Sequence, residues 1–304
     1  MAKKESNIAV YLLLGIILFS LFGVFILPFM IFSSIDRDLD TDHDGLGYLE
    51  VVGPIMESKV FLEKLGQLKK NNRVKALVVR IDSPGGAVAP SQEMFRELQK
   101  FSTIVPVITS MGNVAASGGY YMAIAAQRIF ASPGTITGSI GVITQLTNLK
   151  DVSEFLKLKV YTFKSGKYKD VGNPFRIPTE DDKKFFQSMI DDIYDQFVTD
   201  VAIARNINLD ELKKIADGRV LTGRQAKAVK LVDELGTLND AIAYARKKAK
   251  LPIDAPIIEP HEDEEELFMK LIQRSFDSFF NGISKAVQTA IEKQLTSESL
   301  PQVR

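Results

Sequence analysis

The sequence predicts an α/β domain with a largely parallel sheet, preceded by one N-terminal transmembrane helix. Three observations predict it. Ile8 to Phe32 reads IAVYLLLGIILFSLFGVFILPFMIF, without a charge. From Gly47 onward, short β-branched apolar runs alternate with segments of helical periodicity, as parallel strands joined by helical crossovers require. Val74 to Asp82, VKALVVRID, is apolar on both alternating faces, like a strand covered on both sides.

The anchor comes first. Its 25 residues as a helix would reach about 37 Å at about 1.5 Å per residue. That spans a hydrocarbon core of about 30 Å with some tilt. The stretch is long for a cleaved signal peptide, and no A-x-A-like site follows it. Lys3 and Lys4 precede it, and Asp36, Asp38, Asp40, Asp42 and Asp44 follow. Positive residues stay inside. The expectation is a single pass with a cytoplasmic N-terminus and the body of the chain outside, which in a bacterial cell means the cytoplasmic membrane and an extracytoplasmic catalytic domain.

Residues 1–34 are thus the anchor and 35–46 an acidic linker. Asp40, Asp42, Asp44 and Gly45 imitate an EF-hand loop. Position twelve, where a bidentate glutamate belongs, is Val51, so a solvated linker without calcium is expected.

The domain is expected over residues 47–250. GYLEVVGPI is strand-like. SKVFLEKLGQLKK is helical, with Val60, Leu62, Leu65 and Leu68 near one face. Strand Val74–Asp82 leads through a Gly/Pro turn to a helix near Gln92–Phe101. TIVPVITSM is the next strand, and the Ser117 segment turns into a helix. RIFAS and GSIGVIT read as short strands. VSEFLKLK reads as a helix and VYTFKSG as a strand after it. Thr179 to Arg205 is a long helix, with Glu180, Asp181 and Asp182 suiting its dipole. Helices near Leu209–Ala216, Gly223–Val229 and Leu238–Lys250 follow.

From Pro252, three prolines and an acidic run read as a linker. Within the tail, 251–304, Phe268, Ile272, Phe276, Phe279, Ile283, Val287 and Ile291 recur three or four apart. That is an amphipathic helix. It suits a neighbouring subunit, a membrane surface or a mobile tail; subunit packing is the expectation.

Composition excludes several functions. The 304 residues are 45% hydrophobic and 25% charged, ordinary for a folded core. Lys+Arg 38 and Asp+Glu 38 cancel, so no net field favours nucleic acid. Without cysteine there is no disulfide, no cysteine-ligated zinc and no thiol nucleophile.

Two glycine-rich turns carry candidate chemistry. DSPGGAV, Asp82 to Val88, lies between a strand and a helix, and its glycines let backbone N–H groups approach an oxyanion. NVAASGGYYMA places Ser117 before a helix, with the Gly118 N–H as a second donor. This is not the G-x-S-x-G elbow. The two histidines, His43 and His261, lack a catalytic context. A serine needs a base, and a lysine serves only when neutral. At an unperturbed pKa of about 10.4, only about one lysine in 2,500 is neutral near pH 7. Burial can pull a lysine towards 7–8, at roughly 4 kcal/mol for three units. KSGKYKDVGNPFR offers Lys164, Lys167 and Lys169, and spacing does not choose among them.

DSPGG, NVAASGGYYMA, TGSIGVI, KSGKYKDVGNPFR and DGRVLTGRQAKAVKLVDELG occur in that order. Together they resemble the bacterial signal peptide peptidase A family, also called protease IV, over about Gly47 to Lys250. One anchor and one catalytic unit resemble its shorter, single-repeat members. The resemblance implies a Clp protease/crotonase-like fold and a Ser/Lys dyad. It implies Ser117 as nucleophile, Lys169 as general base and Ser139 as the residue that orients the lysine. It implies Gly86 and Gly118 as the oxyanion hole. It also implies a homo-oligomeric dome, in which neighbouring subunits share each dyad, and no cofactor or metal. The implied substrates are signal peptides left in the membrane after preprotein processing, and other unfolded segments with small or apolar residues near the cleaved bond.

Three other readings compete. A related membrane protease of the stomatin-operon type, acting on membrane-protein substrates, would use the same dyad. A catalytically silent scaffold ring would not need Ser117, Ser139 and Lys169 intact. A crotonase acting on acyl-coenzyme A conflicts with an anchored domain outside the cell's coenzyme A pool.

Overall fold

The strand expected to be covered on both sides lies inside the sheet. In the computed structural model, β2 (Val74–Ser83) lies between β1 (Gly45–Val52) and β3 (Val107–Ala116), parallel to both. The structure describes residues 43–260 and helical positions between 272 and 288. The anchor, residues 8–32, lies outside the described residues, as do Asp36 to Asp42 and most of the tail stripe. No helix among the described residues is long and apolar enough to cross a membrane.

Alternation along β2 builds two cores. Leu77, Val79 and Ile81 face one layer, and Ala76 and Val78 face the other. The larger layer contains α1 (Lys59–Lys70), α2 (Val88–Ser102), α3 (Gly118–Ala123) and the buried face of α5 (Glu180–Arg205). Phe61, Leu65 and Leu68 are the buried stripe of α1, whereas Val60 is exposed. Pro90 does not delay α2 to Gln92. It sits in the first turn, where a missing N–H is tolerated.

Strands β4 (Arg128–Ala131) and β5 (Ile136–Gly138) both pair parallel with β3, along different parts of its length. Between β5 and α5, α4 (Lys150–Phe155) is the one helix. Beyond α5 come α6 (Leu209–Lys213), β6 (Val220–Thr222), α7 (Gly223–Ala228), β7 (Glu234–Leu235) and α8 (Leu238–Lys248). Helix α8 covers the smaller core through Ala241 and Ala245. The long helix begins as its acidic first turn suggests, with a reciprocal capping box between Thr179 and Asp182.

Three expectations are corrected. GSIGVIT is not a strand. Strand β5 ends at Gly138, because Gly138 (φ 76°) and Ser139 (φ 52°) both turn left-handed. VYTFKSG also forms no strand. Its residues have β propensity, but propensity acts through neighbours, and no strand among the described residues pairs with it. Phe163 is 95% exposed as a result. Finally, the segment after Pro252 is not all linker. Ile257 and Ile258 form β8 and extend the sheet beside β1. The sheet order is β6-β5-β3-β2-β1-β8, with β5–β6 the antiparallel pair.

Candidate active site

The site grows from the C-terminal end of β3. The β2–β3 ladder slips there: Ile81 faces Met111, but Ser83 faces Ala115. The extra residues form a bulge, and the Asp82 carboxylate accepts the Val114 N–H at 3.0 Å to fill the interrupted ladder. The strand then runs straight into Ser117.

Ser117 adopts φ 53° and ψ −121°, the combination glycine takes at the first central position of a type II′ turn. A non-glycine residue there costs about 1–3 kcal/mol. The surroundings hold it in place. The Ser117 N–H donates to the Gly138 carbonyl at 2.9 Å, and its carbonyl accepts the Tyr121 N–H at 2.9 Å. Gly85 (φ 92°) packs against the turn so closely that a Cβ there would lie 2.5 Å from the Gly118 nitrogen.

Two donors converge beside the hydroxyl. The Gly118 N–H opens α3, so the helix offers it no acceptor. Gly86 forms a parallel bridge with Ile55. The bridging bonds run from the Ile55 N–H to Gly85 and from the Ala87 N–H to Ile55, leaving the Gly86 N–H on the opposite side. Gly86, Ser117 and Gly118 line one cavity of about 30 Å³, with Ser91, Tyr121, Val142, Ile193 and Phe197 in its wall. That volume holds a water or a small apolar group.

Tyr121 is the titratable side chain in this wall. Burial, and next a hydrogen bond to Asp200, push its phenol above the ordinary range, so it is a neutral donor and not a base. Phe197 stacks on its ring at 4.4 Å. No lysine or histidine is among the residues lining the cavity.

The expected base is not among the residues that line this cavity. Ser139 stands next to Gly138, whose carbonyl holds Ser117, so the two serines occupy neighbouring strand ends. Lys169 lies on an exposed turn, its N–H donating to the Gly166 carbonyl at 3.2 Å. The three lysines of that turn differ. Lys164 pairs with Asp170 and Lys167 with Asp181, each at 2.5 Å. For Lys167 the Asp181 contact raises the pKa. The Lys169 amine has no such acidic partner among the described residues. The Ser117 and Ser139 hydroxyls also lack hydrogen-bond partners among the described residues.

Three contributors escaped sequence reasoning. Asp82 was visible only as a letter of strand and turn motifs, Tyr121 only as a letter of NVAASGGYYMA, and Ser91 was not singled out. Nothing in their spacing announces the bulge or the cavity wall.

Comparison with known proteins adds a family. A model described as Peptidase family S49 matches residues 99–252, a range that contains Ser117, Ser139 and Lys169. A putative protease from Synechocystis is 41% identical over 225 residues, 73% of this chain and 81% of that protein. A putative signal peptide peptidase SppA from Enterococcus faecium is 38% identical over 204 residues, 67% of this chain and 59% of that one. The chloroplastic serine protease SPPA of Arabidopsis thaliana is 36% identical over 212 residues, 69% of this chain and 31% of that one. The chain therefore spans less than two thirds of the last two relatives. A solved ClpP1 mutant from Listeria monocytogenes superposes with a TM-score of 0.43 at 16% identity, covering 64% of this chain and 94% of that one.

Proposed function

The chain belongs to peptidase family S49, and from that premise we propose a membrane-anchored endopeptidase with a Ser117/Lys169 dyad that degrades signal peptides left in the bilayer. The observation that carries this reading is the cavity where a strained Ser117 meets the Gly86 and Gly118 backbone donors. The strain aims the hydroxyl at a bound carbonyl, and both donors stand ready for the charge that develops there.

In the proposed reaction, neutral Lys169 accepts the Ser117 proton as Oγ attacks the peptide carbonyl. Gly86 and Gly118 N–H groups hold the tetrahedral oxyanion. Collapse breaks the C–N bond, and the Lys169 ammonium returns the proton to the departing amine. A water, deprotonated by Lys169, then attacks the acyl-enzyme and frees Ser117. Ser139 orients the amine from its position beside Gly138.

The base is supplied from outside this cavity. The unpaired Lys169 amine, the two unpaired serine hydroxyls and the exposed apolar run around Phe163 support a dyad completed between copies in a dome-like homo-oligomer. The family resemblance supports a Clp protease/crotonase-like architecture. The charge-free stretch 8–32, with lysines before it and aspartates after it, supports a bacterial cytoplasmic membrane location and an extracytoplasmic site. Signal peptides and other unfolded segments with small or apolar residues suit the small apolar cavity.

The test uses full-length protein in detergent and tagged signal peptides. Ser117→Ala and Lys169→Ala should each lose at least about 10³-fold in kcat. Mixing the two inactive variants should restore part of the activity if neighbours share the dyad. No recovery despite confirmed mixing would sink the shared site. An active Ser117→Ala would sink the nucleophile assignment and favour a scaffold.

A further inference from the structure

Arg176 closes the segment that carries Lys169, and the proposed reaction gives it no task. Its guanidinium is divided between two carboxylates. Nε donates to Asp170 Oδ2 at 2.9 Å, and Nη2 donates to the Asp170 carbonyl at 3.1 Å. Nη1 and Nη2 reach both oxygens of Asp182, the latter at 3.1 Å. Asp182 is only 4% exposed and accepts the Thr179 N–H at 2.8 Å, closing the first turn of α5. Asp170 follows Lys169 directly and also receives Lys164. One side chain therefore ties the lysine turn to a helix end. The same turn gains a stacking contact, Tyr168 on Phe185 at 5.4 Å, but its flanking Tyr161 and Phe163 meet solvent. A planar fork spans two carboxylates in a way that an ammonium does not.

We propose that Arg176 is a positioning residue for proton transfer: by bridging Asp170 and Asp182 it fixes the Lys169 turn to α5 and sets where the amine meets the nucleophile. This rests on the reading of Lys169 as the base. Arg176 acts through the Asp170 backbone and lines no part of the substrate cavity. Its loss therefore falls on kcat and spares KM. A misplacement of about 1 Å costs on the order of 10²-fold in a well-aligned site.

Full-length enzyme, assayed with a fluorogenic signal-peptide substrate, provides the test. Lys169→Ala should be inactive. Arg176→Ala should lose about 10- to 100-fold in kcat with KM held within about twofold, and added guanidinium should restore part of that loss. Arg176→Lys, which can keep one ion pair, should fall between. Guanidinium should restore nothing to Lys169→Ala. Wild-type kcat in Arg176→Ala beside an inactive Lys169→Ala overturns the clamp alone. A loss that falls on KM, or that guanidinium leaves untouched, also overturns it. Full activity in Lys169→Ala overturns the base assignment, and the clamp with it. Should Arg176→Ala fail to fold, Arg176→Lys decides: unchanged kcat there overturns the proposal.

Discussion

The proposed nucleophile and the proposed base sit in regions built by different physics. Around Ser117, β3 is flanked by β2 and β5, the Gly138 carbonyl holds the serine N–H, and apolar residues are buried on both faces. From Ile143 to Ile177 the reverse holds. Ile143, Phe155, Tyr161 and Phe163 are all more than 70% exposed, and the lysine turn is held mainly by ion pairs. The first region is complete within one chain. The second presents apolar surface that a monomer would not keep in water without a partner. The difference teaches that the proposed nucleophile turn is a property of the fold, whereas the proposed base, on the reading above, would belong to an assembly.

The comparison is broken most severely at Gly85. An alanine there meets a left-handed backbone and a Cβ 2.5 Å from the Gly118 nitrogen. Gly85→Ala should destabilise the domain by about 2–4 kcal/mol, from strain plus displaced packing, and should abolish peptidase activity. Denaturant unfolding with a parallel peptidase assay checks both. A stable, active variant would mean that the nucleophile turn is looser than its packing implies.

Phe163→Asp attacks the other region. Its side chain is 95% exposed, so the unfolding midpoint of the domain should not move. Assembly mass by light scattering and peptidase activity should fall together, activity by at least about tenfold if a central interface anchor is lost. Unchanged mass and activity would remove the apolar run from the interface.

How much of this was legible follows the same divide. Strands β2 and β3 and helix α5 could be read because burial and helix-end charge are local patterns: a β-branched apolar run, or Glu180, Asp181 and Asp182 in a first turn. VYTFKSG misled because its β-branched and aromatic residues have strand propensity, while no strand among the described residues lies beside it to pair with. The Ser117 and Gly86 turns were visible because glycine marks backbone that must approach something closely. The difference among Lys164, Lys167 and Lys169 was not visible in spacing, since it comes from Asp170 and Asp181 folding back onto two of them. Asp82 and Arg176 were hidden for a related reason. Charged residues default to solvent, and only the bulge and the helix end reveal their partners.

A milder change sharpens the account of the first region. Ser117→Gly removes the nucleophile and also relieves the positive φ. Relief of about 1–3 kcal/mol, less about 0.5–1 kcal/mol of glycine chain entropy, leaves a net gain of about 1 kcal/mol. Ser117→Ala, which retains a Cβ, should show no comparable gain. Equal midpoints for the two variants would mean that the turn stores no strain.

The smallest expected effect concerns pH and separates the regions by charge. The Arg176 guanidinium, and then the Thr179 N–H, hold the Asp182 carboxyl well below the usual range. Lys164, and then Arg176, lower Asp170. A depressed folded-state pKa adds stability that is present above the unfolded value of about 3.9 and is lost as pH falls through the folded value. The difference in melting temperature between wild type and Arg176→Ala should therefore stay constant from pH 7 to about 5 and shrink only below about pH 4. The gain from Ser117→Gly arises from backbone strain and should not change over that range. If the Arg176 difference already shrank between pH 7 and 5, the two carboxylates would not be held by the guanidinium. The lysine turn would then owe its position to Tyr168 on Phe185, and the contrast between an apolar-built nucleophile and a charge-built base would fail.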